Sequence, residues 1–232
     1  MNPEYRKSLK IRAEHVDFRR KMRLSVLMRL FQECCIAHTE ELGYGRDKTL
    51  DKGYLWVIAN EHIAISTLPA YDEEVTLVCY PGPTLHYFFP RHFYLLDRQG
   101  NTLVEISAIW TLIEEKTRAM IDPKEKGIVI DGHDSGKEIP MVPFLKVPPL
   151  EKQETISVPY SQVDINGHLN NSAYLDIAMD RFEKEDLSKD ISEIKLTYKK
   201  EIPMDSSFPL AYGKVDNVYY FSAPQFAIEM KF

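Results

Sequence analysis

The strongest constraint on how this chain folds is that its pattern is written twice. His15-Val16-Asp17 sits like Gln162-Val163-Asp164, at an offset of 147 residues. Each follows a short strand-like piece, Leu9–Val16 and Thr155–Tyr160, and each precedes an apolar helical pattern. In the first half Leu24, Leu27, Met28, Phe31, Cys34, Cys35, His38 and Leu42 recur at the spacing of one helix face. Tyr174, Ile177, Ala178, Arg181 and Phe182 do the same over a shorter span in the second half. Strands are expected after the first helix at Tyr54–Ile65, Glu74–Tyr80, His86–Leu96 and Thr102–Ile113. After the second they are expected at Ser192–Glu201, Phe208–Lys214, Val218–Ser222 and Phe226–Phe232. Within Thr102–Ile113, Val104, Ile106, Ala108, Trp110 and Leu112 make one apolar face by alternation. Leu55, Val57 and Ala59 align in phase with Ile194, Leu196 and Tyr198 at an offset of 139.

A strand, a helix and a run of antiparallel strands, given twice, implies an α+β chain of two units, each helix burying its apolar stripe on a curved sheet. Residues 122–151 read as the connection, since Pro123, Pro140, Pro143, Pro148 and Pro149 alternate there with Gly127, Gly132 and Gly136. The expected division is 1–121 for the first unit, 122–151 for the linker and 152–232 for the second unit.

Composition narrows the function classes. Hydrophobic content of 44% and charged content of 28% suit a globular domain. The net charge of −6 argues against a general nucleic-acid binder. Residues 1–23 nevertheless hold eight Lys and Arg against three acids, so they carry +5 and the remainder −11. That segment is either a solvated edge or a docking face for an acidic partner. Cys34, Cys35 and Cys79 include no CxxC pair and read as buried thiols of a reducing compartment. No apolar run is long enough for a membrane helix and no signal-like segment opens the chain, so a cytoplasmic location is expected. His86, His92 and His133 lack metal-ligand spacing, and no glycine-rich phosphate loop occurs. No metal or cofactor is expected. Tyr87, Phe88, Phe89, Phe93 and Tyr94 read as sheet core that also supplies lining for an apolar channel.

Chemistry concentrates between Val163 and Tyr174, where Asp164, Asn166, His168, Asn170 and Asn171 fall within eight residues. A carboxylate, an imidazole and several amides at a turn before a helix can move a proton and polarise a carbonyl. The same residues are good turn and cap chemistry: Asp-Ile-Asn-Gly favours a turn, and Asn170 or Asn171 suits a helix N-cap. The backbone N–H groups of His168–Asn171 are candidate oxyanion donors.

The run Asp164-x-x-Gly167-His168-x-Asn170-Asn171-x-x-Tyr174 resembles the active-site signature of hotdog-fold thioesterases. With Asn166 it is similar to the fatty acyl-ACP thioesterases of plants and bacteria. Those enzymes carry a Tyr-Arg-Arg-Glu segment some thirty residues further on, and Tyr198-Lys199-Lys200-Glu201 stands in that place here. The resemblance implies two tandem hotdog units, a pseudo-dimer within one chain, with the first unit supplying the acyl pocket and the second the catalytic motif. It implies hydrolysis of a fatty acyl thioester on acyl carrier protein, with Asp164, Asn166, His168 and Glu201 as catalytic residues. Glu201 and Asp164 are the two candidate bases. Plant members usually have a Cys after that Glu; Ile202 stands here, so a Cys nucleophile at that position is excluded. At the first-half positions taken to match Asp164, Asn166, His168 and Glu201 stand Asp17, Arg19, Lys21 and His62, which implies one site per chain. An acyl-CoA thioesterase and a non-catalytic acyl-binding protein are the rival readings. Monomer and homodimer both remain open.

Overall fold

The computed structural model describes residues 4–133 and 145–232. Pro140, Pro143 and Gly136 of the expected linker lie outside the described residues. The first half contains β1 (Tyr5–Lys10), α1 (Leu24–Glu41), β2 (Tyr54–Ile65), β3 (Glu74–Pro81), β4 (Phe88–Leu96) and β5 (Thr102–Glu114). The second contains β6 (Lys152–Ser157), α2 (Ala173–Met179), β7 (Glu193–Tyr198), β8 (Ser207–Val215), β9 (Val218–Ser222) and β10 (Phe226–Lys231). The first strand of each half forms a few residues earlier than the sequence pattern placed it. Residues of Leu9–Val16 and Thr155–Tyr160 beyond those strands go into short 3-10 turns at Ala13–His15 and Tyr160–Gln162.

All ten strands join one antiparallel sheet in the order β1-β3-β4-β5-β2-β7-β10-β9-β8-β6. The seam is β2 against β7, in register from Asn60 opposite Thr197 to Ala64 opposite Glu193. Both helices lie on one face of this sheet and touch each other, with Arg29 Nε donating to Ser172 Oγ at 3.1 Å. One core runs through both halves: Leu27, Met28 and Phe31 of α1 and Leu175 and Ala178 of α2 belong to the same buried cluster as Ile63, Ile106, Ile194 and Leu196. Burying each large apolar side chain of α1 contributes roughly 1.5–3 kcal/mol.

The helices end for local reasons. After α1, Gly43 takes the left-handed conformation at φ 83°. Its neighbours close the last turn through Leu42 N–H to His38 O and Tyr44 N–H to Thr39 O, both at 3.0 Å. Leu42 then packs with Phe89, Leu112, Ile121, Ile128 and Ile130 in a second small cluster. Residues 122–133, free of helix and strand, thus fold back over the first unit. In the second half α2 ends at Met179, where Arg181 N–H bonds Ala178 O and tightens the turn. Among the described residues no helix is long and apolar enough to cross a membrane.

The seam buries one acid. Glu61 is fully buried and accepts a hydrogen bond from Tyr198 OH at 2.8 Å across the join. Burial pushes its carboxyl up to about 8 despite that bond, so it is protonated at neutral pH. The unfolded chain releases this proton at its ordinary 4.5, so stability present below pH 4.5 is lost as pH rises toward 8. Glu61→Gln is expected to remove that loss. Its melting temperature relative to wild type should rise by roughly 10 °C between pH 5 and pH 9. Parallel melting curves at all pH values would contradict a neutral buried Glu61.

Candidate active site

The loop bearing the motif is a backbone device that the fold uses twice. In the second half, Val163 bridges Leu169, Asp164 N–H bonds His168 O, and Gly167 N–H bonds Asp164 O. Asp164 Oδ1 then accepts from the N–H groups of Asn166 at 2.8 Å and His168 at 3.1 Å. In the first half, Val16 bridges Met22, Asp17 N–H bonds Lys21 O, and Arg20 N–H bonds Asp17 O. Asp17 Oδ1 accepts from Arg19 N–H at 2.8 Å and Lys21 N–H at 3.2 Å. The turn needs a left-handed residue, supplied by Gly167 at φ 77° and by Arg20 at φ 61°. At the tips, Phe18 and Ile165 are both strongly exposed. The offset of 147 therefore holds atom for atom, and the first duty of Asp164 is to lock the loop that presents Asn166 and His168.

Glu201 reaches the same place from the loop after β7. Lys199 and Lys200 N–H both turn to Gln225 O, so the strand expected to run to Glu201 stops at Tyr198. Leu169 N–H bonds Ile202 O at 2.8 Å, and His168 pairs with Pro203, which stitches this loop to the motif. Glu201 Oε1 lies 3.6 Å from His168 Nδ1. That nitrogen is buried without a hydrogen-bond partner, so a small rotation would close a bond between the two. The other Glu201 oxygen ion-pairs with Arg118, which comes from the turn after β5 in the first half. A cleft of about 430 Å³ opens here, lined by Leu50, Leu55, Glu115, Arg118, Ile165, Asn166 and His168. Burial, and then the Arg118 charge, hold the His168 imidazole below its ordinary 6.5, against the opposing pull of Asp164. The ring is therefore neutral at neutral pH and able to accept a proton.

Three expectations need correction. The first-half counterpart of Glu201 is Leu68, not His62. Ser66 and Thr67 N–H both bond Leu103 O as Lys199 and Lys200 bond Gln225 O, and Met22 N–H bonds Pro69 O as Leu169 bonds Ile202 O. The strand offset is thus 133, six less than alternation suggested. A strand pattern of period two reads the same after any even shift. His62 lies instead at the seam, 2.8 Å from Glu193. Glu201 lies outside the strand expected at Ser192–Glu201, and Lys195 within it pairs with Glu193 and Glu229. The oxyanion donors are also fewer than expected. His168, Leu169 and Asn170 N–H are bonded to Asp164 Oδ1, Ile202 O and Gln162 O. Among the described residues, that leaves Asn171 N–H of the four, with the Asn166 amide at the cleft. Asn170 shapes the turn just before α2 and does not cap it, its side-chain oxygen accepting from Ser172 N–H at 2.9 Å, while the N-cap position falls to Ser172.

Sequence reasoning missed Arg118. It sits in a charged turn, Glu115-Lys116-Thr117-Arg118, with no spacing relation to the motif 46 residues further on. Cys34 and Cys35 on α1 and Cys79 on β3 are buried in the first half.

The equivalence of the two loops is testable. Asp17→Ala and Asp164→Ala each remove two side-chain bonds to backbone N–H groups, and each should lower stability by about 1–2 kcal/mol. Only Asp164→Ala should shift the ring resonances of His168. Movement of that ring in both variants, or in neither, would contradict the assignment of the loop to local presentation of His168.

Comparison with known proteins agrees with this layout. The family model for the acyl-ACP thioesterase N-terminal domain matches residues 2–126, and that for the C-terminal domain matches residues 148–222. Dodecanoyl-[acyl-carrier-protein] hydrolase of Cinnamomum camphora is 23% identical over 218 residues, covering 87% of this chain and 57% of that protein. Oleoyl-acyl carrier protein thioesterase of Coriandrum sativum is 21% identical over 221 residues, covering 87% of this chain and 60% of that protein. The chain thus spans less than two thirds of the length of these plant relatives. Among solved structures, an acyl-ACP thioesterase from Bacteroides thetaiotaomicron superposes with a TM-score of 0.86 at 21% identity, covering 99% of this chain and 98% of that one. The 12:0-ACP thioesterase from Umbellularia californica gives 0.85 at 18% identity, covering 100% of this chain and 97% of that one. These structures share the fold, a double hotdog in which two helix-and-sheet units form one sheet. With matched models over most of its length, the chain belongs to the acyl-ACP thioesterase family.

Proposed function

We propose that this chain hydrolyses a fatty acyl thioester carried on acyl carrier protein, releasing the free acid and the thiol. The observation that carries this reading is a neutral imidazole and an amide lining one cleft, His168 and Asn166, with the Glu201 carboxylate 3.6 Å from the imidazole Nδ1. In the proposed mechanism the thioester carbonyl enters the cleft beside Asn166. A water between the carbonyl carbon and His168 gives its proton to the imidazole as it attacks. Glu201, on the Nδ1 side of the ring, fixes the tautomer that leaves Nε2 free to accept and steadies the imidazolium that forms. The Asn166 amide and Asn171 N–H stabilise the oxyanion. On collapse the C–S bond breaks, and the sulfur takes the proton back from His168. General base action of this kind contributes typically 10²- to 10⁴-fold. Asp164 keeps the loop in shape, as Asp17 does where no chemistry is assigned. Glu201 shares its charge with Arg118, so in this mechanism it orients the ring and the imidazole takes the proton.

The basic N-terminal segment suits an acidic carrier, but not all of it is free. Arg19 is held by Asp17, Asp190 and the Lys189 carbonyl. Arg20 and Arg23 are exposed, Arg23 with its Nε bonded to Val16 O, and are the better docking candidates. Arg20→Glu with Arg23→Glu should lower kcat/KM on acyl-ACP at low salt and leave matched acyl-CoA unaffected. An equal loss on both substrates would remove this surface from consideration.

The central experiment is thiol release from a panel of acyl-ACPs and matched acyl-CoAs. Wild type is compared with folded His168→Ala, Glu201→Ala and Asn166→Ala variants. Turnover of acyl-ACP that falls by about 10²-fold or more in His168→Ala and Glu201→Ala is expected. Turnover of acyl-CoA alone would favour the acyl-CoA reading. Tight acyl binding with no turnover of either would leave a binding protein.

A further inference from the structure

We infer that Arg118, delivered by the non-catalytic first half, is a positioning residue for the site, fixing the Glu201 carboxylate on the His168 side of the cleft. The role deepens the thioesterase reading and rests on it. Four observations carry it. Among the described residues, the one charged partner of Glu201 is Arg118, and Arg118 and the neutral His168 ring approach its two different oxygens. Arg118 lines the cleft with Asn166 and His168.

The turn that presents Arg118 is rigid. Glu114 N–H bonds Ala119 O and Arg118 N–H bonds Glu114 O, both at 2.9 Å, and Glu115 N–H bonds Gly53 O at 2.8 Å. Thr117 Oγ1 adds a bond to the Glu114 carboxylate. Finally, Arg118 occupies the left-handed region at φ 60°, a conformation that disfavours any side chain except where something else holds it. The hydrogen bonds of the turn hold that backbone, and the ion pair to Glu201 fixes the side chain that it presents.

The guanidinium has a second consequence. His168 faces Asp164 from its own loop, Glu201 from the loop after β7, and Arg118 and Glu115 across the cleft from the first half. After burial, Arg118 is the charge that disfavours the imidazolium. Removing it also unmasks the negative charge of Glu201, so both effects raise the affinity of His168 for a proton. The same side chain thus aims the carboxylate and keeps it from over-stabilising the imidazolium at rest.

Arg118→Gly separates this role from a structural one, because glycine relieves the left-handed backbone while deleting the guanidinium. The variant should melt at or above the wild-type temperature. On acyl-ACP, kcat should fall by about 10- to 100-fold with little change in KM. The titration of the His168 ring, followed by NMR, and the acid limb of the pH profile should both move to higher pH. Arg118→Lys, which restores the charge without the planar fork, should return the His168 titration toward wild type and recover part of kcat. Wild-type kcat and an unmoved titration in Arg118→Gly would overturn the inference. So would a loss of kcat with an unmoved titration and no rescue by Lys. Absence of turnover in wild type would count against the thioesterase reading instead, and the NMR titration would still decide the place of Arg118.

Discussion

Everything functional in this chain depends on the pairing of β2 with β7. That seam turns two half-sheets into one and sets the second half's loops against the first half's turns. β2 is the longer partner. It continues past the end of β7 toward Tyr54, still paired with β5 on its other side, and Leu55 of that stretch lines the cleft with Arg118, the ion partner of Glu201. Were the halves to fold apart, Glu201 would have His168 but not Arg118, and the cleft would lose the Leu50, Leu55 and Glu115 wall. The seam also hides Glu61, a carboxyl in apolar surroundings with one bond to Tyr198. Such a group favours the join only while it stays neutral.

Duplication and divergence are visible at the level of single hydrogen bonds. Asp17 and Asp164 lock the same turn in the same way, so the carboxylate at that position belongs to the architecture before it belongs to any chemistry. What differs is what the locked loop presents. Arg19 and Lys21 in the first half answer to Asn166 and His168 in the second, and Leu68 answers to Glu201. The first half has put its cations to structural use: Arg19 spans to Asp190, and Lys21 bonds Thr67. The second half keeps an imidazole shielded enough to stay neutral. A backbone motif with a required carboxylate can therefore carry or lack a site according to two or three side chains around it.

Much of the fold was legible from pattern alone. The alternation in β5 and the three- and four-residue steps in α1 placed those elements within a residue or two of where they form, because the side-chain period follows the backbone geometry, although β5 buries Ile109 and Thr111 on its other face as well. The elements least well placed were the short outer strands β1 and β6. They sit at the edges of the sheet with one partner each, so little apolar signal marks their bounds. The end of β7 was also misplaced: Lys199 and Lys200 continue the alternation in sequence, yet their N–H groups converge on a single carbonyl. Alternation reports which face a side chain takes, and it is blind to such a bulge.

The sequence by itself determined the two-unit plan and the motif loop, since these are written in local spacing and residue type, and its resemblance to a known family made Asp164, Asn166, His168 and Glu201 candidates. Tertiary structure alone decided the rest. It showed that Asp164 is engaged in backbone bonds, that most of the loop N–H groups are already paired, and that Arg118 completes the cleft from the other half. The physical reason is one of range. Periodicity and turn chemistry act over a few residues and leave their mark on the sequence, whereas an ion pair between Arg118 and Glu201 depends on a strand register set far from both.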